Sequence, residues 1–368
     1  MIQPKRITDN FLSLAAIDSP SYGERKMADR LTAALKELGL SVEEDGAAEA
    51  LRGNAGNLFA RLPGTGTPLL FTGHMDTVEP SAGKKPQLHP DGTVTSDGTT
   101  VLGADDLAGV TILLEALASI REDGLPHPPL EILFSVAEEP YDRGSEVFDF
   151  GKIRSREAYV LDLNGKVGGA AYAAPSICSF TVTIGGKSSH AGFAPEKGVH
   201  AIAAAARAID KLKMGCVDGE TTLNVGMIAG GTATNIVPDL CTVKGELRSY
   251  SHAKAEALLD SVAGTFSRAA VSLGASCKME SRFGCRAYEI SRSEPVARRY
   301  ADACEKAGVQ PDFFRTFGGS DANQLNQHGI RSLVISSAMY LPHTCREYTR
   351  VADMAKMAEI VRTMMLHA

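Results

Sequence analysis

Hydrophobic and polar positions alternate along the chain in two registers. The run Leu69-Leu70-Phe71-Thr72-Gly73-His74 is almost continuously apolar, as are Leu130–Val136 and Tyr159-Val160-Leu161. Runs of this kind, bounded by turn residues, predict strands buried on both faces, near 57–61, 69–74, 130–136 and 157–162. Between them the period lengthens. Met27, Leu31, Leu35 and Leu38 fall on one helical face over Lys26–Leu38, with Gly39 as the stop, and the apolar stretch 106–121 predicts a buried helix. Strand–helix alternation of this kind predicts a mostly parallel sheet, with the Gly-, Pro- and Thr-rich segment 80–104 as a loop or hairpin excursion.

The rhythm changes near Pro175. A strand at 179–184, an alanine-rich helix over 198–211, strands at 222–229 and 239–248, a helix over 253–273 and a strand at 276–283 follow in order. This is β-α-β-β-α-β, the split ferredoxin-like unit, and its length suits an inserted domain. The α/β rhythm then resumes: helix 293–307, strand 312–317, helix 320–328, strand 331–337, and a helix from Val351. The rhythm therefore divides the chain into an α/β domain in two segments, residues 1–175 and 287–368, interrupted by an inserted domain over residues 176–286.

Chemistry collects where the strands run out. His74, Glu139 and Asp162 each follow an apolar run, Asp105 opens the buried helix, and His343 lies in the late Leu341-Pro342-His343 stretch. Open parallel sheets place their sites at these carboxyl ends. Taken singly, an Asp before a helix is an N-cap and a His after a strand is a hydrogen-bonded core residue. Repetition at successive strand ends favours a shared site. Two imidazoles and three carboxylates suit two divalent ions, zinc first, with cobalt or manganese as alternatives. If Asp105 bridges, His74 and Asp162 complete one site, and Glu139 and His343 the other. Asp76, two residues after His74, is placed to accept the second ring N–H of that imidazole. Glu138 and Glu139 are adjacent, so one can coordinate while the other accepts the proton of a metal-bound water. For His343 to join the others, the C-terminal segment must return to the first domain.

Composition narrows the class. A formal charge of −6 without a Lys/Arg run disfavours nucleic acid and anionic membranes as partners. The apolar run after Val110 contains Glu115 and is too short to span a bilayer. No uninterrupted apolar stretch follows Lys5-Arg6, so no secretory signal is expected. Seven cysteines, an odd number with no C-x-x-C pair, fit reduced thiols in a cytoplasm.

The motifs Gly73–Val78, Leu102–Val110, Ala137-Glu138-Glu139 and Val160-Leu161-Asp162 resemble the di-zinc exopeptidases of the aminoacylase, carboxypeptidase and peptidase T group, with peptidase T and its relatives fitting best. The resemblance extends through Lys187–Gly192, Gly230-Gly231 with Asn235–Pro238, Gly318-Gly319-Ser320-Asp321 and Leu341-Pro342-His343, covering almost the whole chain. It implies a zinc-exopeptidase-like three-layer α/β catalytic domain, a ferredoxin-like lid that also forms a homodimer, and a cis Asp105–Asp106 peptide. It implies Glu138 as the base and His190 as an oxyanion donor reaching the partner's site. Asn235, Arg248 and Gly319 become substrate contacts. The expected activity is removal of the amino-terminal residue from short peptides, as in a tripeptide aminopeptidase. An N-acyl amino acid deacylase or dipeptidase of the same fold is the alternative, and a non-catalytic peptide-binding relative is disfavoured because no ligand or base is missing. Two departures bear on the pocket. Ser320 stands where threonine is usual, and Pro140–Gly144 replaces the commoner Ile-Gly continuation.

Overall fold

The computed structural model describes residues 1–366, which form two compact units, one of Met1–Ala173 with the segment from Glu289 onward, the other of Ala174–Tyr288.

In the first unit the strands Leu130–Ser135, Leu69–His74, Glu157–Asn164 and Arg331–Tyr340 lie side by side in that order and run parallel. Their residues are buried almost throughout, which is why their sequences read as continuous apolar runs rather than alternations. The sheet is less parallel than the sequence predicts. Leu58–Leu62 and Ser41–Glu44 add antiparallel strands on one side. Tyr348–Arg350, Thr93–Thr95 and Gln87–Leu88 add antiparallel strands on the other. The excursion over 80–104 is thus a small hairpin joined to the sheet. These added strands are short and partly exposed, so the period-2 signal has little length in which to appear.

Helix Ala104–Asp123 packs across the parallel strands, with Pro4–Ala15 and Val351–Leu366 against it. It is buried on every side as far as Ile120, as expected of a helix that is apolar all round. Its single interior charge is neutralised. Glu115 is fully buried and accepts from Arg6 Nε at 2.6 Å, Arg6 Nη2 at 2.9 Å and the Gln3 amide at 2.7 Å. Pro4–Ala15, absent from the sequence-based reading, is therefore pinned to the central helix by charge as well as by Ile7, Phe11 and Leu14.

The second unit is a five-stranded antiparallel sheet in the order Gly215–Cys216, Thr221–Gly230, Leu240–Ser249, Ser176–Gly185, Ser276–Cys285. Setting aside the two-residue first strand, the order is 2-3-1-4, the ferredoxin-like arrangement. Cys178, Phe180, Val182 and Ile184 alternate onto the covered face and pack beneath helices Ala201–Ile209 and His252–Ser272. The first of these helices is shorter than its alanine-rich sequence suggests. His200 caps it, its Nδ1 accepting the Ala203 amide, and Val199 bridges back to Lys187 instead.

Candidate metal centre

Strands of the first unit end at a common edge, and their end residues meet there. His74 closes the strand Leu69–His74, Asp162 lies near the end of Glu157–Asn164, and Glu138 and Glu139 follow Leu130–Ser135. Asp105 stands at the start of the central helix with non-helical backbone (φ −81°, ψ 102°), and its peptide bond to Asp106 is cis. His343 sits with φ 60° in the loop joining Arg331–Tyr340 to Tyr348–Arg350.

The five side chains gather in two overlapping groups. His74, Asp105 and Asp162 each offer one ligand atom within 4.8 Å of the others, and so do Asp105, Glu139 and His343. Asp105 belongs to both. His74 Nε2 lies 3.0 Å from Asp105 Oδ1, while His343 Nε2 lies 3.2 Å from Asp105 Oδ2 and 3.1 Å from Glu139 Oε2. The two carboxylate oxygens of Asp105 thus face different imidazoles.

Asp76 lies beside the second ring nitrogen of His74 and holds more than that ring. The His74 Nδ1 meets the main-chain carbonyl of Asp76 at 2.9 Å, and the Asp76 carboxylate only at 3.4 Å. That carboxylate mainly accepts backbone amides, from Glu138 at 3.0 Å and Glu139 at 3.3 Å, with the Ser21 hydroxyl at 2.7 Å. Fully buried, it fixes the ring of one candidate ligand and the backbone of the Glu138-Glu139 pair together.

The electrostatics favour a cation. Burial pushes the Glu138 carboxyl far above the usual range, with Asp162 adding to the rise. Burial does the same to Asp162, with Asp105 adding to it. Burial also opposes a charge on Asp105, but hydrogen bonds from His343 and His74 outweigh it and hold this carboxyl low. Hydrogen bonds to Asp105 and Glu139 carry His343 up to about 10. Protons therefore stand in for positive charge that this cluster requires. Glu139 Oε1 is buried without a hydrogen-bond partner, an uncompensated acceptor of the kind a bound cation satisfies. Donor set, spacing and orphaned oxygen all fit a pair of divalent ions.

Several contributors carry no ligand and were not read from the sequence. Asp106 is buried against the end of strand Leu69–His74 and accepts the His74 amide at 3.2 Å. Glycine is required on both sides of it, since a Cβ at Gly73 would lie 2.5 Å from Asp106 Oδ2 and one at Gly109 2.4 Å from Asp106 Oδ1. Asp321 accepts from Ser135 Oγ at 2.6 Å. Ser320 forms a capping box with Asn323 at the start of Asp321–Gln327, a role its hydroxyl shares with threonine. Glu24 accepts the amides of Tyr22 at 2.8 Å and Ala137 at 3.0 Å. The sequence did carry a signal for Glu24, the Ser21-x-x-Glu24 spacing of a capping box, although here the carboxylate ties down the turn before Glu138. Gly319 lies in the loop before Ser320. After Glu139 the chain turns through Tyr141 (φ 67°) and Asp142 (φ 55°), closed by the Asp142 amide on the Glu138 carbonyl at 2.7 Å.

The remaining sequence candidates lie in the second unit. His190 is exposed, and its Nδ1 accepts the amides of Gly192 at 3.1 Å and Phe193 at 3.2 Å, which places the neutral ring's proton on Nε2. Its ring stacks on Phe193 at 4.2 Å. Asn235 accepts the Ala191 amide through its main-chain oxygen, and Arg248 Nε donates to Glu246 at 2.7 Å.

Comparison with known proteins decides the family. Residues 172–273 match the peptidase dimerisation domain of the M20 peptidases, and residues 57–207 match peptidase family M28. Protein YqjE of Bacillus subtilis is 36% identical over 363 residues, 98% of each chain. The chain belongs to the M20 peptidase family. Aminopeptidase PepT from Bacillus cereus superposes with a TM-score of 0.91 at 37% identity, over 99% of this chain and 98% of that one. A tripeptidase from Staphylococcus aureus gives a TM-score of 0.95 at 32% identity, over 100% and 98%. The mixed α/β catalytic fold and the ferredoxin-like domain are those of the M20 metallopeptidases.

Proposed function

We propose that this M20 peptidase is a di-metal aminopeptidase that removes the amino-terminal residue from short peptides. The observation carrying this reading is the shared carboxylate, Asp105, whose two oxygens face His74 and His343 and which alone belongs to both ligand groups. His74 and Asp162 would hold one ion, Glu139 and His343 the other, with zinc favoured by the donors and cobalt or manganese also compatible. Bound there, the ions would polarise the scissile carbonyl and acidify a water.

The chain's own residues supply the remaining steps. Glu138 takes a proton from the attacking water and delivers it to the leaving amine, a role its buried, proton-favouring setting suits. Asp76 keeps that base beside the His74 ligand by holding both backbone amides of the pair. His190 presents Nε2–H as a donor to the oxyanion, and Asn235, Arg248 and Gly319 contact the substrate's backbone and terminal carboxylate. Dimerisation through the domain over 172–273 and a cytoplasmic location complete the reading. Among the described residues no helix is long and apolar enough to cross a membrane.

The Bacillus cereus and Staphylococcus aureus neighbours are described as an aminopeptidase and a tripeptidase, which favours a free amino terminus and a short substrate. Turnover of Leu-Gly-Gly, N-acetyl-Leu-Gly-Gly and N-acetyl-leucine by metal-loaded protein tests it. Leu-Gly-Gly is expected to be cleaved fastest, releasing leucine. Faster turnover of either acetylated compound moves the chain to the deacylase reading with the centre unchanged.

A further inference from the structure

The loop carrying His343 also carries a buried carboxylate that binds the backbone of the turn leading into Asp105. Glu347 is 1% exposed. Its Oε2 accepts the amides of Leu102 at 2.9 Å and Gly103 at 2.7 Å, and its Oε1 accepts the amide of Asp105 at 2.8 Å. Both oxygens are therefore spent on three donors of the turn over residues 102–105. Those donors open the helix Ala104–Asp123, whose first amides have no partner within the helix. The turn fits closely around this contact. Gly103 has φ 78°, and a Cβ there would lie 2.9 Å from Thr77 Cγ2 and 3.1 Å from the ammonium of Lys84. Lys84 is itself 5% exposed, with Glu347 among the carboxylates favouring its charge.

Glu347 is equally fixed at its own end. Its amide donates to the Thr344 carbonyl at 3.0 Å, and the Thr344 hydroxyl donates to the Leu341 carbonyl at 2.9 Å. The loop is then closed at its base by Tyr340 and Tyr348, paired across the two strands and stacked at 4.8 Å. His343 and Glu347 thus belong to one short closed loop. One of its side chains touches the Asp105 carboxylate while the other grips the Asp105 backbone.

Resting on the metal-centre reading above, we propose that Glu347 is a positioning residue for that centre. It locks the turn carrying Asp105 to the loop carrying His343, so that the two reach an ion at a fixed separation. A ligand pair held in this way loses little freedom when an ion enters, and groups that orient ligands typically change metal affinity by about 10–100-fold when removed. Glutamine at this position keeps one strong acceptor oxygen but presents an NH2 toward amides that need an acceptor, so the turn is released with little change in volume.

The test uses full-length protein and three variants, Glu347→Gln, Glu347→Asp and Glu131→Gln. Glu131 serves as the control. It is a buried carboxylate in the same domain that accepts the amides of Arg154 and Ser155 and the Ser155 hydroxyl, and it touches no candidate ligand. Zinc affinity is measured by competition with a chromophoric chelator, cobalt loading by its visible absorption, and melting temperature without metal. Glu347→Gln should bind the weaker of the two ions about 10–100-fold less tightly and alter the cobalt spectrum. Glu131→Gln should lower the melting temperature while binding both ions as the parent does. Glu347→Asp, with both oxygens but a shorter reach, should fall between the parent and Glu347→Gln in affinity. Parental zinc affinity and cobalt spectrum in Glu347→Gln overturn the proposal. So does an equal loss of affinity in Glu131→Gln, which would reduce Glu347 to general stability. If the parent protein itself takes up fewer than two ions, the metal-centre reading fails instead.

Discussion

Glu138 and Glu139 are neighbours in the chain with different surroundings. Glu139 reaches His343, while the forces on Glu138 come first from burial and then from Asp162. Replacing the base should therefore affect turnover and spare the ions. Glu138→Gln should retain both metal equivalents and lose activity on the order of a hundredfold to ten-thousandfold, whereas Glu139→Gln should lose metal. Loss of metal from Glu138→Gln with retention in Glu139→Gln would exchange the two roles. The titrating groups give a second expectation. His343 is raised to about 10 by hydrogen bonds to Asp105 and Glu139, and burial raises Glu24 and Glu347 to about 7. Groups raised on folding bind more protons folded than unfolded, so their contribution is complete below their unfolded values and is lost as pH climbs through the folded ones. Metal-free protein should accordingly melt at lower temperature at pH 9 than at pH 5. Bound ions displace the His343 proton, so saturating zinc should flatten the upper part of that decline. Thermal melts across this range, with chelator and with zinc, check both statements. A melting temperature that rises with pH in the chelated protein contradicts the first.

At the scale of the element, the motif residues around the ligands are explained by how closely strand and helix approach. A Cβ at Gly109 would stand 2.4 Å from both Asp106 Oδ1 and the Leu161 carbonyl. The helix start and the strand bearing Asp162 therefore cannot separate to admit a methyl group without moving the cluster. Gly109→Ala should destabilise the fold by about 1–3 kcal/mol, read as a lowered denaturation midpoint, while alanine at exposed Gly46, where nothing approaches, should change little. These contacts also show what the chain discloses before folding. Long strands buried on both faces announce themselves as apolar runs, and their ends mark His74, Glu139 and Asp162. The strands of the second unit announce themselves by alternation. Short edge strands such as Ser41–Glu44 and Tyr348–Arg350 carry too few residues for a period. Glu347 is silent for another reason. Its partners are backbone amides more than two hundred residues away, and a backbone amide has no sequence signature. Asp76 was legible as a partner of His74, but its grip on the Glu138 and Glu139 amides depends on the register between two strands.

For the whole molecule, the centre draws on both segments of the interrupted domain, since His343 returns to residues before the insertion. Five candidate ligands with one bridge satisfy two sites and overfill one. Unchelated protein should approach two metal equivalents, and His343→Ala should remove mainly one. The inserted domain matches a peptidase dimerisation domain, and the proposed role of His190 makes assembly part of catalysis. If each centre combines Glu138 of one chain with His190 of the other, His190→Ala and Glu138→Gln homodimers are both impaired, by loss of the oxyanion donor and of the base respectively. In a mixed dimer the chain bearing His190→Ala keeps its Glu138 and receives His190 from its partner, so one centre is complete and the other lacks both groups. Random exchange at equal concentrations places half the protein in mixed dimers, so activity should recover to about one quarter of the parent value on the two-fold symmetry of such assemblies. Subunit exchange is verified independently, by native mass spectrometry of chains of unequal tag length. Full exchange with activity no higher than the average of the two separate variants would show that His190 serves its own chain or none, leaving the metal centre and Glu138 unaffected.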